Sequence, residues 1–382
     1  VKEQVDVSDT DTVIAGCDAE FDAVLAGMKL RRFEFPKPKM NGNISLLEVL
    51  HNRCLATLAD MADEYVPQGS VAFGFADHRE FNAFAHRASR DMICLYVPAV
   101  KTLWAFFHGL MGQRELFPWI DDTGRFEGEP PQSKGDLFFV RPPNNPSNQE
   151  VEIRRQLAVA LFDTVLDFML KRQVAHLWQG HVDLLHAKKP DAVFQEMRLV
   201  DGGLDISTVQ TLHYNADSYA IQQAFARAHR LNPFAEFAEG FMKDHKIPVD
   251  GVHSTSWYFT WFAIYASFRL FDESCEVAEL PQWTHPPAAL RQACLVSAVA
   301  AVCARQGWSK LNPMEWERIA SDAGLEAERL ICRLRGFELN PSAYMSFWNE
   351  PVVDQMQNYM QVWETLGPQL AAMPKGPRAA QV

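Results

Sequence analysis

What this chain lacks narrows its class before any motif is considered. Its seven cysteines, Cys17, Cys54, Cys94, Cys275, Cys294, Cys303 and Cys332, form no Cys-x-x-Cys pair and are odd in number. That argues against a zinc ribbon and a disulfide framework, and it fits reduced thiols in a cytoplasmic protein. Positive charge is in the minority: 36 Lys and Arg stand against 48 Asp and Glu, a formal net charge of -12. Nucleic-acid affinity rests largely on Lys and Arg, so no DNA or RNA partner is expected. Long hydrophobic runs are missing too. The most membrane-like stretch, "STSWYFTWFAIYASF" between His253 and Arg269, has 15 residues, whereas about 20 are needed to cross a bilayer. It is expected to be a buried helix, and no transmembrane segment is expected. The opening "VKEQVDVSDTDTVIAG" is polar and acidic, unlike a signal peptide. There is no Gly-x-Ser-x-Gly and no phosphate-binding glycine loop with Lys-Ser or Lys-Thr.

What is present is enough apolar material for a large core. The 382 residues are 48% hydrophobic and 12% aromatic, ordinary for a folded domain apart from the aromatic excess. "RRFEFPKPKMNGN" is a connector by its Pro, Gly and Asn content. Apolar residues at three- and four-residue spacing predict a helix over 44–65. A period nearer two over 70–97 predicts a small antiparallel group of strands, and a helix should follow Pro98. Residues 119–150, rich in Pro, Gly and Asn, are expected to be a long loop or flap with one strand-like run, "DLFFV". A helical pattern runs without a break from 152 to 186. Further helices are expected at 207–230, 234–243, 254–272, 287–305, 314–322 and 352–371. The fold class is therefore α+β and mostly helical.

One stretch raises a chemical question. "KRQVAHLWQGH", residues 171–181, has the spacing of a zinc-protease helix, but Arg172 and Gln173 stand where His-Glu-x-x-His would begin. In such a helix two imidazoles four residues apart reach one metal, and the intervening Glu takes a proton from metal-bound water. A guanidinium has five donors, no lone pair to offer and a fixed charge, and a carboxamide accepts no proton near neutral pH. His181 would sit about 140° around a continuous helix from His176. It and His186 are expected at a solvated or packed helix end.

Four stretches in order resemble the gluzincin metallopeptidases of the CAAX-prenyl-protease and heat-shock membrane-protease type. They are "FNAFAHRASRDMICLYVPAVKTL" (81–103), "RQVAHLWQGH" (172–181), "HYNADSYA" (213–220) and "THPPAALR" (284–291). The likeness does not extend over roughly the first 70 and last 90 residues. It implies a zincin-like fold, with a small antiparallel sheet packed on a long central helix. It also implies an N-terminal extension (1–45), a zincin-like domain (46–305) and a C-terminal helical region packed on it (306–382). At the matching positions, Arg172 replaces the first zinc ligand and Gln173 the general base. His176 keeps the second ligand, His213 replaces the third-ligand Glu, and Asp217 is retained as its support. Asn82, Ala83 and Phe84 match the edge along which an extended peptide could add as a strand. "THPP" is a rigid helix entry and is assigned no chemistry.

These departures point to a catalytically silent peptidase-like protein that binds a protein or peptide, with no cofactor. The alternatives are a metal-dependent hydrolase using zinc on His176 and His213, and a structural subunit of a larger assembly presenting the Trp-, Phe- and Tyr-rich segment 257–268.

Overall fold

A computed structural model of the protein describes residues 19–35, 45–65, 71–111, 132–134, 137–139, 149–189, 192–195, 203–245, 251–271 and 285–373, other than Ser89. Cys17, Cys275, Thr284 and most of 119–150 lie outside them. A helix over 19–27 (α1) and a short strand, Arg31–Arg32 (β1), come first. Helix α2 (Leu46–Tyr65), strands β2 (Ala72–Asp77), β3 (Ala83–Arg87) and β4 (Asp91–Tyr96), and helix α3 (Val97–Met111) follow. A two-stranded hairpin, β5 (Gln132–Lys134) and β6 (Leu137–Phe139), takes the place of the single strand expected in the 119–150 segment. Then come α4 (Gln149–Trp178), α5 (His181–Lys188) and strand β7 (Phe194–Gln195). Helices α6 (Ile206–Leu231), α7 (Ala238–His245), α8 (Gly251–Phe271), α9 (Ala288–Arg305), α10 (Pro313–Arg335), α11 (Pro341–Ser346) and α12 (Glu350–Ala371) complete the chain. The class is α+β and mostly helical, with one small five-stranded sheet.

That sheet is mixed, not antiparallel as expected. Its order is β1-β2-β4-β3-β7; β2 and β4 run parallel and the other pairings are antiparallel. A meander would have placed β3 beside β2. Instead β4 lies between them, because "DMICLY" is apolar on both faces and suits a strand covered from both sides. Its Ile93 and Leu95 join the main helical core, while Met92, Cys94 and Tyr96 pack with Phe21 and Leu25 of α1. Gly74 permits this second layer, since a Cβ there would come within 2.7 Å of the Phe21 ring. Within the expected N-terminal extension, residues 19–35 are thus part of the fold: α1 covers the sheet and β1 extends it.

Helix α4 runs through the centre. Every residue from Leu161 to Trp178 is buried except Asp163, which is half-buried. A helix covered on all sides has to satisfy its polar side chains internally, and Lys171 does so by donating to Asp167 at 2.8 Å. The unbroken helix expected over 152–186 is two helices. Gly180 adopts φ +83°, which ends α4 and turns α5 away. Arg87 pins the β3–β4 hairpin to this junction. It bonds to Asp91 (2.6 Å), to the Leu177 carbonyl (2.8 Å) and to Asp183.

The last helices share the same core. Helix α10 starts with a reciprocal capping box between Asn312 and Glu315 and extends past the expected 314–322 to a left-handed Gly336. The Trp316 ring centre lies 4.6 Å from that of Trp257, which seats α10 on α8. All residues from Trp257 to Phe268 are buried, which removes 257–268 as an exposed assembly surface. The placement corrects that expectation; the apolar bulk belongs to the core. Helix α9 is long and apolar enough to cross a membrane by length and composition, with 67% of it buried inside the protein, as for a core helix. Cys54, Cys94, Cys294, Cys303 and Cys332 are buried thiols, and Cys332 Sγ donates to Glu328 Oε1 at 3.2 Å.

Gly180→Ala should destabilise the protein by more than about 1 kcal/mol, because it combines a left-handed backbone with a Cβ driven to 2.7 Å from Met373 Cβ. Urea midpoints of the two proteins test this; equal midpoints would disprove the strain.

Candidate functional site

Helices α4, α6 and α9 bring three charged side chains together with no exposure to solvent of consequence. Arg172, Asp217 and Arg291 are 0%, 1% and 5% exposed. Arg172 Nε donates to Asp217 Oδ1 at 2.6 Å. Arg291 Nε donates to Asp217 Oδ2 at 2.5 Å and its Nη2 to Oδ1 at 2.8 Å. One carboxylate thus bridges two guanidiniums. Arg291 also lies 3.8 Å from the centre of the Phe268 ring, a cation–π contact. Burial lowers the Arg172 pKa to about 10, still high enough to keep it charged at neutral pH.

Four imidazoles surround this bridge. Arg172 Nη2 donates to His213 Nδ1 at 2.7 Å and makes a longer contact of 3.4 Å with His285 Nε2. The His213 and His285 rings are 4.0 Å apart, and those of His176 and His213 5.4 Å. On the other side, His176 Nδ1 and His181 Nδ1 share a hydrogen bond of 2.9 Å, and His181 Nε2 bonds to Asn215 Oδ1 at 3.0 Å. Gln173, 1% exposed, is on the same stretch of α4. The pKa values of His176 and His213 are lowered well below 6.5, and that of His181 to about 3. Burial is the largest cause in each, with the Arg172 charge adding to it.

The hydrogen bonds fix which nitrogen of each neutral ring carries its proton. His181 donates from Nε2 to the Asn215 carbonyl oxygen, so its Nδ1 accepts and His176 Nδ1 is the donor. His176 Nε2 is therefore a bare lone pair. Arginine can only donate, so His213 Nδ1 accepts and its proton sits on Nε2. Both Nε2 atoms are buried without a hydrogen-bond partner among the described residues. They face the site in opposite states, one an acceptor and one a donor. Zinc needs a lone pair from each ligand nitrogen. Arg172 opposes the ion by its charge and holds His213 in the wrong tautomer. Among the described residues, this arrangement does not fit a zinc ion. Among the described residues, no group of three or more His, Cys, Asp or Glu side chains is placed to hold a metal.

Strand β7 closes the site from the sheet side. It pairs with β3, matching Phe84 to Gln195 and Ala85 to Phe194. Asn82 Nδ2 donates to Gln195 Oε1 at 3.3 Å. Asn82, Ala83 and Phe84, expected at an open edge, are 3%, 0% and 0% exposed. This corrects the expectation, because β3 is an internal strand at Phe84 and Ala85. Phe194 stacks on His176, ring centres 3.9 Å apart, and lies 5.3 Å from His213.

Arg172, His176, His213 and Asp217 lie together, and Gln173 is buried beside Arg172 on α4. The structure adds His181, Asn215, His285, Arg291 and Phe194. His181 reaches His176 because the helix breaks at Gly180, so the rotation expected on a continuous helix does not apply; "WQGH" carried that signal in its glycine. His285 and Arg291 belong to "THPPAALR", and nothing in their local spacing ties them to 172 or 217. Compared with protein-family models, with curated proteins and with solved structures, the chain matches none.

Asp217→Ala should destabilise by about 3–5 kcal/mol or prevent folding, since it leaves two buried guanidiniums face to face. Arg172→Met should cost less, because Asp217 keeps its two bonds to Arg291. Denaturant unfolding of both variants tests the order, and a milder Asp217 variant would contradict it. The imidazoles predict a pH dependence. Unfolded, each takes up a proton near pH 6.5, but in the fold only far below. The unfolded chain thus binds more protons as pH falls, and stability declines below about pH 6.5 by roughly 1.4 kcal/mol per pH unit for each such ring. A urea midpoint unchanged between pH 7.5 and 5.5 would refute this.

Proposed function

We propose that this protein is a catalytically silent member of the zincin-like architecture, acting by binding a protein or peptide. The observation that carries the reading is the Arg172–Asp217–Arg291 bridge, which puts a permanent cation where a peptidase would place its divalent ion. Support for the architecture comes from the long helix α4 bearing Arg172 and His176, helix α6 bearing His213 and Asp217, and the sheet beside them. A peptide adding to this sheet next to the site would pair with the outer edge of β7, since β3 is already paired there. The hydrolase reading, with zinc on His176 and His213, has one available lone pair, at His176 Nε2, and no carboxylate at position 173.

Purified protein should contain far less than one zinc per chain and cleave no member of an unbiased peptide library. The double variant Arg172→His, Gln173→Glu removes the cation, frees His213 to change tautomer and restores the carboxylate, so its zinc content should rise. Elemental analysis of both proteins decides. One tightly held zinc in the parent, or hydrolysis abolished by His176→Ala and by His213→Ala, would overturn the silent reading.

A further inference from the structure

A cleft of about 580 Å³ opens on the other side of α4, between that helix and α2, α6 and α9. Its α4 wall is Leu166, Asp167, Leu170 and Lys171, whereas the histidine cluster uses Arg172 and His176. At about 100° per residue these two sets point in roughly opposite directions, so the cleft is distinct from the site above. Its volume falls in the range of small-molecule pockets, about 300–1,000 Å³.

The charge of the cleft runs against that of the protein. Five cations line it, Arg53, Lys171, Arg227, Arg230 and Arg305, against the carboxylates Asp60 and Asp167, in a chain of net charge -12. Arg53 is paired with Asp163 behind the wall, and Lys171 with Asp167. Arg227 feels the Asp163 charge but makes no hydrogen bond to a described residue. Arg230 and Arg305 make no ion pair among the described residues. Three guanidiniums therefore face the cleft with Asp60 as the one lining carboxylate not already paired. The plainer explanation is that Arg230 and Arg305 offset the carbonyl ends of α6 and α9. Those two helix ends supply only about one negative unit together, and adding Asp60 still leaves about one positive unit. Arg227 and Arg230 are three apart on α6 and share a face.

We propose that this cleft binds a small organic phosphate monoester. Guanidinium forks match phosphate oxygens in pairs, and three of them suit a dianionic head. Met61, Leu170 and Trp308 offer an apolar wall for the ligand's body. Trp308 is held flat by stacking on His229, ring centres 5.1 Å apart. The excess positive charge would also draw an anion in from a surface that otherwise repels it.

The test is calorimetric titration of the full chain at low salt with phenyl phosphate and adenosine monophosphate, and with adenosine and phthalate as controls. Expected is binding of at least one phosphate ester at about millimolar affinity or tighter, no binding of adenosine, and weakening by added salt. The variant R230E/R305E should bind at least tenfold less tightly. Both positions are solvent-exposed, so folding should survive, and R230Q/R305Q gives a second reading if it does not. No binding of either ester, affinity unchanged in the variants, or preference for phthalate over the esters would each overturn the proposal.

Discussion

The interior of this protein is organised around one carboxylate. Asp217 accepts from Arg172 on α4 and from Arg291 on α9 while sitting on α6 itself. Three helices are thereby locked in register through a single side chain. Isolated ions are costly to bury, and a bridged triad is tolerated only where each charge has a short, well-aligned partner. The bonds here, 2.5 to 2.8 Å, meet that condition. A triad of this kind is weak evidence for added stability, because well-packed apolar residues could fill the same space. What it provides is a fixed electrostatic centre, against which the neighbouring imidazoles are set.

The histidines follow from that centre. Burial disfavours their charged forms, and the guanidinium of Arg172 adds repulsion, so His176, His181 and His213 stay neutral. Once neutral, their tautomers are dictated by their partners: an arginine that can only donate sets His213, and Asn215 sets His181 and through it His176. The result is a pair of inward-facing Nε2 atoms of opposite hydrogen-bonding character. Zinc would require reversing one of them and removing a cation. Strand β7 reinforces this closure, since Phe194 packs on His176 while its backbone occupies the adjoining edge of β3.

Helix α4 therefore separates two environments. One face carries a buried cluster of imidazoles set around the Arg172–Asp217–Arg291 bridge. The other face borders a cleft whose arginines reach solvent. A central helix can serve both because it is covered on all sides, with Asp167 pairing Lys171 at the boundary between them.

The amino-acid sequence by itself determined what depends on neighbours along the chain. Apolar spacing placed α2, α3, α6, α8 and α9 within a few residues of their observed ends. The sequence also named Arg172, His176, His213 and Asp217, which meet in space. Contacts between distant segments were settled only by the tertiary structure. Spacing within β2, β3 and β4 specifies strands but not their partners, so the parallel pairing of β4 with β2 could not be read locally. The two-residue β7 is too short to show any period, yet it seals the edge proposed for a peptide. Arg291 and His285 lie 74 and 72 positions beyond residues 217 and 213, respectively, and only the packing of α9 on α6 makes them part of the site. A helix broken by one left-handed glycine redirected His181 as well, because backbone dihedrals at a single position reorient everything after it.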